Sequence, residues 1–588
     1  MSIPSTSSFV PSKDVLRNNP FVAPPDGRCI INNLPAELLS QIFVHGVESE
    51  QGDGSSNDDA SEGSCESISE LDSDDGSHSS HGSHQSFDSE DERRLPFELL
   101  VTRICKRWRD VASGEPSLWS TIVFIPDTKI DKVKEYVRRA KGAPLDLTID
   151  CTVDDDVDEE WRWETESSAA QQQETTALVE VLNILMPHVG HWKSFVLSVS
   201  YYFPMLYALQ TFAKCEGAPM LEALALYHYE DSDDIDEFHP TQYKDRAFVL
   251  FHNNLPKLRQ VALWGVHIDW KKSTFLKNLH ELELAYHTLD VRPGYKEFLR
   301  MLETSPQLQT LTLCQSGPAG MPVEWLASVQ ENSGSNGIPD SFYSVTLPSV
   351  ENLVLAFLPP DYVIALLDRM HMPNVTSLAL DFEDDEYRPV LDRLCEAGPG
   401  NSKPLLASVE ALKLSGLPCS HYMSVVHAAE LLVNLKQLSI NFDYVGPAWQ
   451  SLLGSTLLPD GKHTDALNVP GTPFFPRLEA ISVTGLTGES VRDLVFRRKA
   501  IGKPLKEVYV NKDDEIEAED EEWLKENVEV FELFEGSDDE DIGDDLDDVL
   551  DLDDVDEDDV VEDDEDDAWE DDDNFEYDSD TGVGFYFG

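Results

Sequence analysis

The chain has 588 residues, 41% of them hydrophobic, and a formal net charge of −69. That length suits roughly two to four domains, and the composition allows a sizeable core. So negative a field excludes nucleic acid and anionic membrane as partners and favours basic ones.

The charge is concentrated in two blocks. From Asp513 to the end there are about 40 acidic residues against a single Lys525, and residues 47–92 hold 15 acidic residues without Lys or Arg. Blocks of like charge stay disordered, so a disordered insert is expected over 47–92 and a disordered acidic tail over 513–588. Residues 1–29, rich in Ser, Pro and Asn, read as a flexible lead. The eight cysteines are scattered, with no C-x-x-C pair, which points to reduced thiols in the cytoplasm or nucleus. No apolar signal core opens the chain and no run of about 18 apolar residues occurs, so neither secretion nor a membrane span is expected.

The first patterned element is Ile30 to Phe43. Asn33 suits a helix cap and Pro35 its first turn, where a missing N–H costs nothing. Leu34, Leu38, Ile42 and His45 fall on one face, with Leu39 and Phe43 beside them. After the acidic insert, order resumes at Leu95–Val101. In the next run Ile104, Trp108 and Val111 share a helical face. Pro116-Ser117-Leu118-Trp119 then turns into the strand-like Ile122–Ile125.

From about Val133 the chain repeats itself. A helical stretch leads into an L-x-x-L-x-L strand: Trp192/Phe195/Leu197, Leu221/Leu224/Leu226, Leu258/Val261/Leu263, Leu279/Leu282/Leu284 and Leu308/Leu311/Leu313. Six more follow, from Val350/Leu353/Leu355 to Leu505/Val508/Val510. A lone unit of this kind leaves its apolar face bare, whereas stacked units bury one continuous core. The predicted fold class is therefore α/β: a small all-α domain over 30–125, split by the insert, then an irregular solenoid over 126–512. On its strands the residues flanking the leucines face outward, which makes Tyr227, Trp264, Lys413 and Asn441 candidate contacts for a protein substrate.

Leu34-Pro35-x-Glu37-Leu38-Leu39-x-x-Ile42-Phe43, then Ile104-Cys105-Lys106-Arg107-Trp108-Arg109-Asp110-Val111-Ala112, then Pro116-x-Leu118-Trp119, resembles the F-box. The likeness is to the fungal F-box proteins whose C-terminal regions are leucine-rich-repeat-like. It implies a non-enzymatic receptor of the SCF ubiquitin ligase: the F-box docks the adaptor, and through it the cullin, while the repeats receive the protein target. By motif, Leu34, Pro35, Leu38, Leu39 and Ile42 would lie at the adaptor interface, and Trp108 and Trp119 would hold the helices to one another and to the repeats. Two departures stand out: the acidic insert, and the absence of the Asn ladder of regular repeats. The Asn positions carry, among others, Tyr229, Val266, His287, Ser316 and Leu358.

A second reading stays open. Leucine-rich repeats ahead of an acidic tail also resemble the acidic leucine-rich nuclear phosphoproteins, chaperone-like binders of basic proteins such as histones; those lack an F-box. A receptor acting without a cullin is a third. No zinc spacing, phosphate-binding glycine loop or H-E-x-x-H occurs, so no metal or cofactor is expected. His78, His81 and His84 sit in a Ser/Gly/Asp tract better read as low complexity.

Overall fold

The computed structural model describes residues 31, 34–52, 96–125, 128–152, 167–229, 236–325, 344–382, 385–398, 403–458, 463–464 and 471–534. The bulk of the insert and the tail beyond 534 lie outside these residues, as do His78, His81 and His84.

Fourteen strands form one parallel sheet. They are β1 (Thr121–Phe124), β2 (Leu145–Asp150), β3 (Trp192–Val199), β4 (Ala223–His228), β5 (Gln260–Trp264), β6 (Glu281–Ala285) and β7 (Thr310–Cys314). There follow β8 (Asn352–Ala356), β9 (Ser377–Asp381), β10 (Ala411–Leu414), β11 (Gln437–Asn441), β12 (Ala480–Thr484), β13 (Glu507–Asn511) and β14 (Val530–Phe534). Each strand pairs with the next in sequence, so the order never reverses. A parallel sheet without reversal is a solenoid, and it lacks the switch-point crevice where doubly wound sheets bind ligands.

Period-two alternation puts the leucines on one face. Leu224, Val261, Leu282, Leu311 and Leu353 stand in register, as do Leu226, Leu263, Leu284, Leu313 and Leu355. These ten side chains are all buried. Helices that precede the strands cover that face, including Tyr202–Lys214, Tyr295–Glu303, Pro360–Arg369 and Tyr422–Leu431, each with several buried apolar residues.

All eleven strands read from the leucine pattern lie in this sheet, but the boundaries differ from expectation at both ends. Ile122–Phe124, assigned to the N-terminal helical domain, is the first strand, in register with Leu147 and Ile149 of β2. At the other end the solenoid continues past 512. A helix over Ala518–Asn527 and then β14 add one more unit where a disordered tail was expected. Its acidity hid it, yet Val528-x-x-Phe531-x-Leu533 follows the same spacing as the other strands.

In place of an Asn ladder, polar groups are satisfied piecemeal. His287 donates from Nε2 to the Val266 carbonyl (2.9 Å) and accepts at Nδ1 from the Ser316 hydroxyl (2.9 Å), linking three successive units at the expected Asn positions. Elsewhere an arginine clamps backbone carbonyls. Arg498, fully buried, donates to the carbonyls of Phe474 (3.0 Å) and Phe475 (3.1 Å). Burial pulls its guanidinium down to about 10. Arg498→Leu strands these carbonyls without donors, so it is expected to lower stability by about 3 kcal/mol. Urea unfolding followed by circular dichroism checks this; an unchanged midpoint would show the clamp to be dispensable.

Candidate functional site

Among the described residues three α-helices precede the sheet: α1 (Ala36–Gly52), α2 (Phe97–Ile104) and α3 (Lys106–Gly114). α1 begins directly after Pro35, and the Leu39 N–H donates to the Pro35 carbonyl (3.2 Å). Asn33, the expected cap, lies outside the described residues. Cys105 is extended (φ −155°, ψ 168°) and separates α2 from α3. Its sulfur accepts from the Trp108 N–H (3.5 Å) and caps α3. Ile104 therefore ends α2 and does not share one helical face with Trp108 and Val111, contrary to the sequence reading.

The inner faces of these helices are locked to the sheet by aromatic residues. Phe43 packs on Trp108 with ring centres 5.0 Å apart. Trp119 is fully buried, donates from Nε1 to the Ala112 carbonyl (2.8 Å) and meets Tyr136 edge-on at 5.1 Å. Arg139 lies over the Trp119 ring at 4.1 Å. The Tyr136 hydroxyl donates to Glu98 of α2 (2.6 Å), tying the helix over Ile130–Ala140 to α2. Arg107 reaches back to the Leu34 carbonyl.

Leu39 and Phe43 are fully buried. Leu39 thus belongs to the core and corrects the motif-based assignment to an adaptor surface. Leu34 is half-buried and Pro35 exposed. The exposed aliphatics are Leu38 (44%) and Ile42 (43%) on α1, with Leu100 (45%) and Ile104 (55%) on α2. Each pair is spaced i, i+4 and forms a stripe beside its helix's buried face. Gly46 marks the seam between the two helices, because a Cβ there would collide with the Phe97 ring. By helical periodicity both stripes flank the solvent side of this seam. Four exposed aliphatics on two short helices are more than scattered surface residues require. Sequence reasoning missed Leu100 and Ile104; their i, i+4 spacing beside buried Val101 was the available signal.

The sheet's other face departs from expectation. Tyr227 and Trp264 are buried, not open to solvent. They sit in a second apolar cluster with Ala262, Ala285, Cys314 and Ala356, opposite the leucine core. A file of rings runs through it: Tyr227 to Trp264 at 5.8 Å, Trp264 stacked on Tyr286 at 4.7 Å, Tyr286 to Phe357 at 6.2 Å. Small residues on the neighbouring strands let the rings lie down. Asn441 accepts from the Asp443 N–H (3.1 Å) and caps a short helix, so its side chain is engaged. Lys413 is half-buried at the centre of β10.

Among the described residues no cluster of His, Cys, Asp or Glu has metal-binding geometry, and no helix is long and apolar enough to cross a membrane. A scan against protein-family models matches none, and a search of curated proteins returns no match.

Three buried imidazoles pack against other aromatic rings: His228 and His267 against Tyr202, and His287 against Trp270. Burial lowers His228 and His267 to about 4 and His287 to about 3. In the unfolded chain each takes a proton near 6.5. As pH falls from about 6.5 towards 4 the unfolded state binds more protons, so stability falls with pH, by up to ~1.4 kcal/mol per unit for each histidine. Glu174 acts oppositely: burial raises it to about 8, so its unfavourable contribution grows as pH rises from its ordinary value through 8. Thermal unfolding from pH 8 to 4 should show the melting temperature dropping steeply below about 6.5. A His287→Gln variant should flatten that drop; an equal drop in the variant would acquit this histidine.

Proposed function

We propose that this chain is a substrate receptor of the SCF type, in which the N-terminal helices dock the ligase adaptor and the α/β solenoid receives a protein target. The chain is non-catalytic in this reading, needs no cofactor, and works in the cytoplasm or nucleus. The observation that carries it is the pair of aliphatic stripes, Leu38/Ile42 and Leu100/Ile104, on helices whose opposite faces are fixed in the core. Such a surface, apolar and rimmed by Glu37, Gln41 and Arg103, is built to be covered by another helical protein. The F-box-like order of motifs in the same helices supports an adaptor as that protein. The receptor's contribution to reaction rate is then proximity, holding the target beside ubiquitin-transfer machinery supplied by the other subunits.

The solenoid's outward face supports target binding with less detail. Its aromatic file is packed on itself, so contact with a target falls on the partly exposed rims of Tyr229, Tyr286 and Phe357 and on Lys413.

Leu38→Asp and Ile104→Asp each place a charge in the covered surface while leaving the core untouched. Each should weaken adaptor binding about a hundredfold or more. Pulldown of adaptor and cullin by the full-length chain measures this, with circular dichroism confirming the fold and Lys413→Glu as a control that keeps binding. Folded variants that bind like the wild type would refute the interface.

A further inference from the structure

The two ends of the sheet are not alike. At the first edge the core row is covered: Ile122 and Phe124 of β1 are each only 3% exposed. At the last edge, among the described residues, the same row is only partly covered. Phe531 and Leu533 stand in register with Val508 and Val510, which are fully buried, yet Phe531 is half-buried and Leu533 is 44% exposed. Among the described residues no strand pairs with the outer side of β14.

Among the described residues the backbone of that edge is open as well. The Val530 N–H donates to the Lys506 carbonyl (3.0 Å), and the Phe534 carbonyl accepts from the Lys512 N–H (2.8 Å). In a parallel ladder successive residues face opposite sides. Val530, Glu532 and Phe534 therefore turn their backbone groups to β13, while Phe531 and Leu533 present theirs to the free edge. Natural proteins blunt such edges with lysine, proline or a covering element. This strand, Val-Phe-Glu-Leu-Phe, contains neither lysine nor proline, and no element covers it among the described residues.

Charge selects the occupant. From Asp513 to Phe534 the chain carries eleven acidic residues and one basic residue, Lys525. Lys525 is itself held by Glu521 at 2.6 Å. A second copy added at this edge would set Glu529 and Glu532 against their like. The chain's own acidic tail meets the same repulsion.

We propose that β14 is a docking edge for an extended, Lys/Arg-bearing segment of a partner protein. The segment adds as a further strand, lays alternate apolar side chains over Phe531 and Leu533, and sets its basic side chains on the opposite face, against Glu532. Backbone pairing gives affinity, and the alternation of apolar and basic residues gives selectivity. The site is separate from the adaptor surface at the other end of the chain, and it does not depend on that reading.

The test uses the full-length chain and a fluorescent peptide of about ten residues alternating valine and lysine, with oligolysine of equal length as the control. The alternating peptide should bind more tightly than oligolysine, lose affinity as salt rises, and slow amide hydrogen exchange at Phe531 and Leu533. Leu533→Pro removes a free-edge N–H but spares the ladder to β13, and it should weaken the alternating peptide about tenfold or more. Leu533→Lys, which keeps the N–H, should weaken it too, so a misfolded proline variant would not leave the question open. Equal binding of both peptides, unaltered by these substitutions, would assign binding to acidic charge alone and overturn the proposal. Amides of Phe531 and Leu533 already protected in the free chain would overturn it as well, because the edge would then be occupied by the chain's own tail or a second copy.

Discussion

Everything in this molecule depends on one constraint: each strand pairs in parallel with its sequence neighbour. In that arrangement a leucine row is covered only by the units before and after it. No unit is stable by itself, and stability grows by addition along the stack. The same constraint makes the two ends special, since each has one neighbour too few. The chain answers it differently at each end. At the first, three helices and the Trp119 turn close over β1 and the core row disappears from solvent. At the last, among the described residues, the row stays partly open on β14.

The closing helices serve two purposes at once. Their inner faces give Leu39, Phe43, Val101 and Trp119 to the core, and their outer faces hold aliphatics at more than 40% exposure. A helix that only capped the sheet would do better with a polar outer face. Keeping Leu38, Ile42, Leu100 and Ile104 in water costs solubility with no gain in stability, which supports the proposal that a partner covers them. Glu98 illustrates how firmly that surface is held: its bond to Tyr136 joins α2 to the helix behind it, and the hydroxyl's pKa is driven up by burial and by that carboxylate.

Much of this was legible in the residues. The L-x-x-L-x-L spacing located eleven strands because a buried row needs large aliphatics at fixed positions, whatever the loops between them do. Leu145–Asp150 escaped because it offers only three apolar residues in strict alternation, a weaker signal than the leucine template. β14 escaped because its charge dominated its pattern. The outward face was harder still. Tyr227 and Trp264 occupy outward positions, but whether a ring stands up into solvent or lies on its neighbours depends on the residues of the strands beside it. Ala285, Cys314 and Ala356 make that space, and they come into register with Trp264 only through the sheet. Leu39 shows the same limit at one-residue scale. On a helix a shift of one position is about 100° of rotation, enough to move a motif leucine from the surface to the core.

The role proposed for the chain depends on what covers the α1–α2 surface. Isothermal titration of the full-length chain with purified SCF adaptor, repeated at several temperatures, addresses it directly. The structure-based expectation is one-to-one binding with a clearly negative heat-capacity change, the mark of apolar burial, and little dependence on salt. Absence of a complex at micromolar concentrations, or binding with no heat-capacity change that vanishes as salt rises, would contradict it and leave the acidic segments as the chain's binding surfaces.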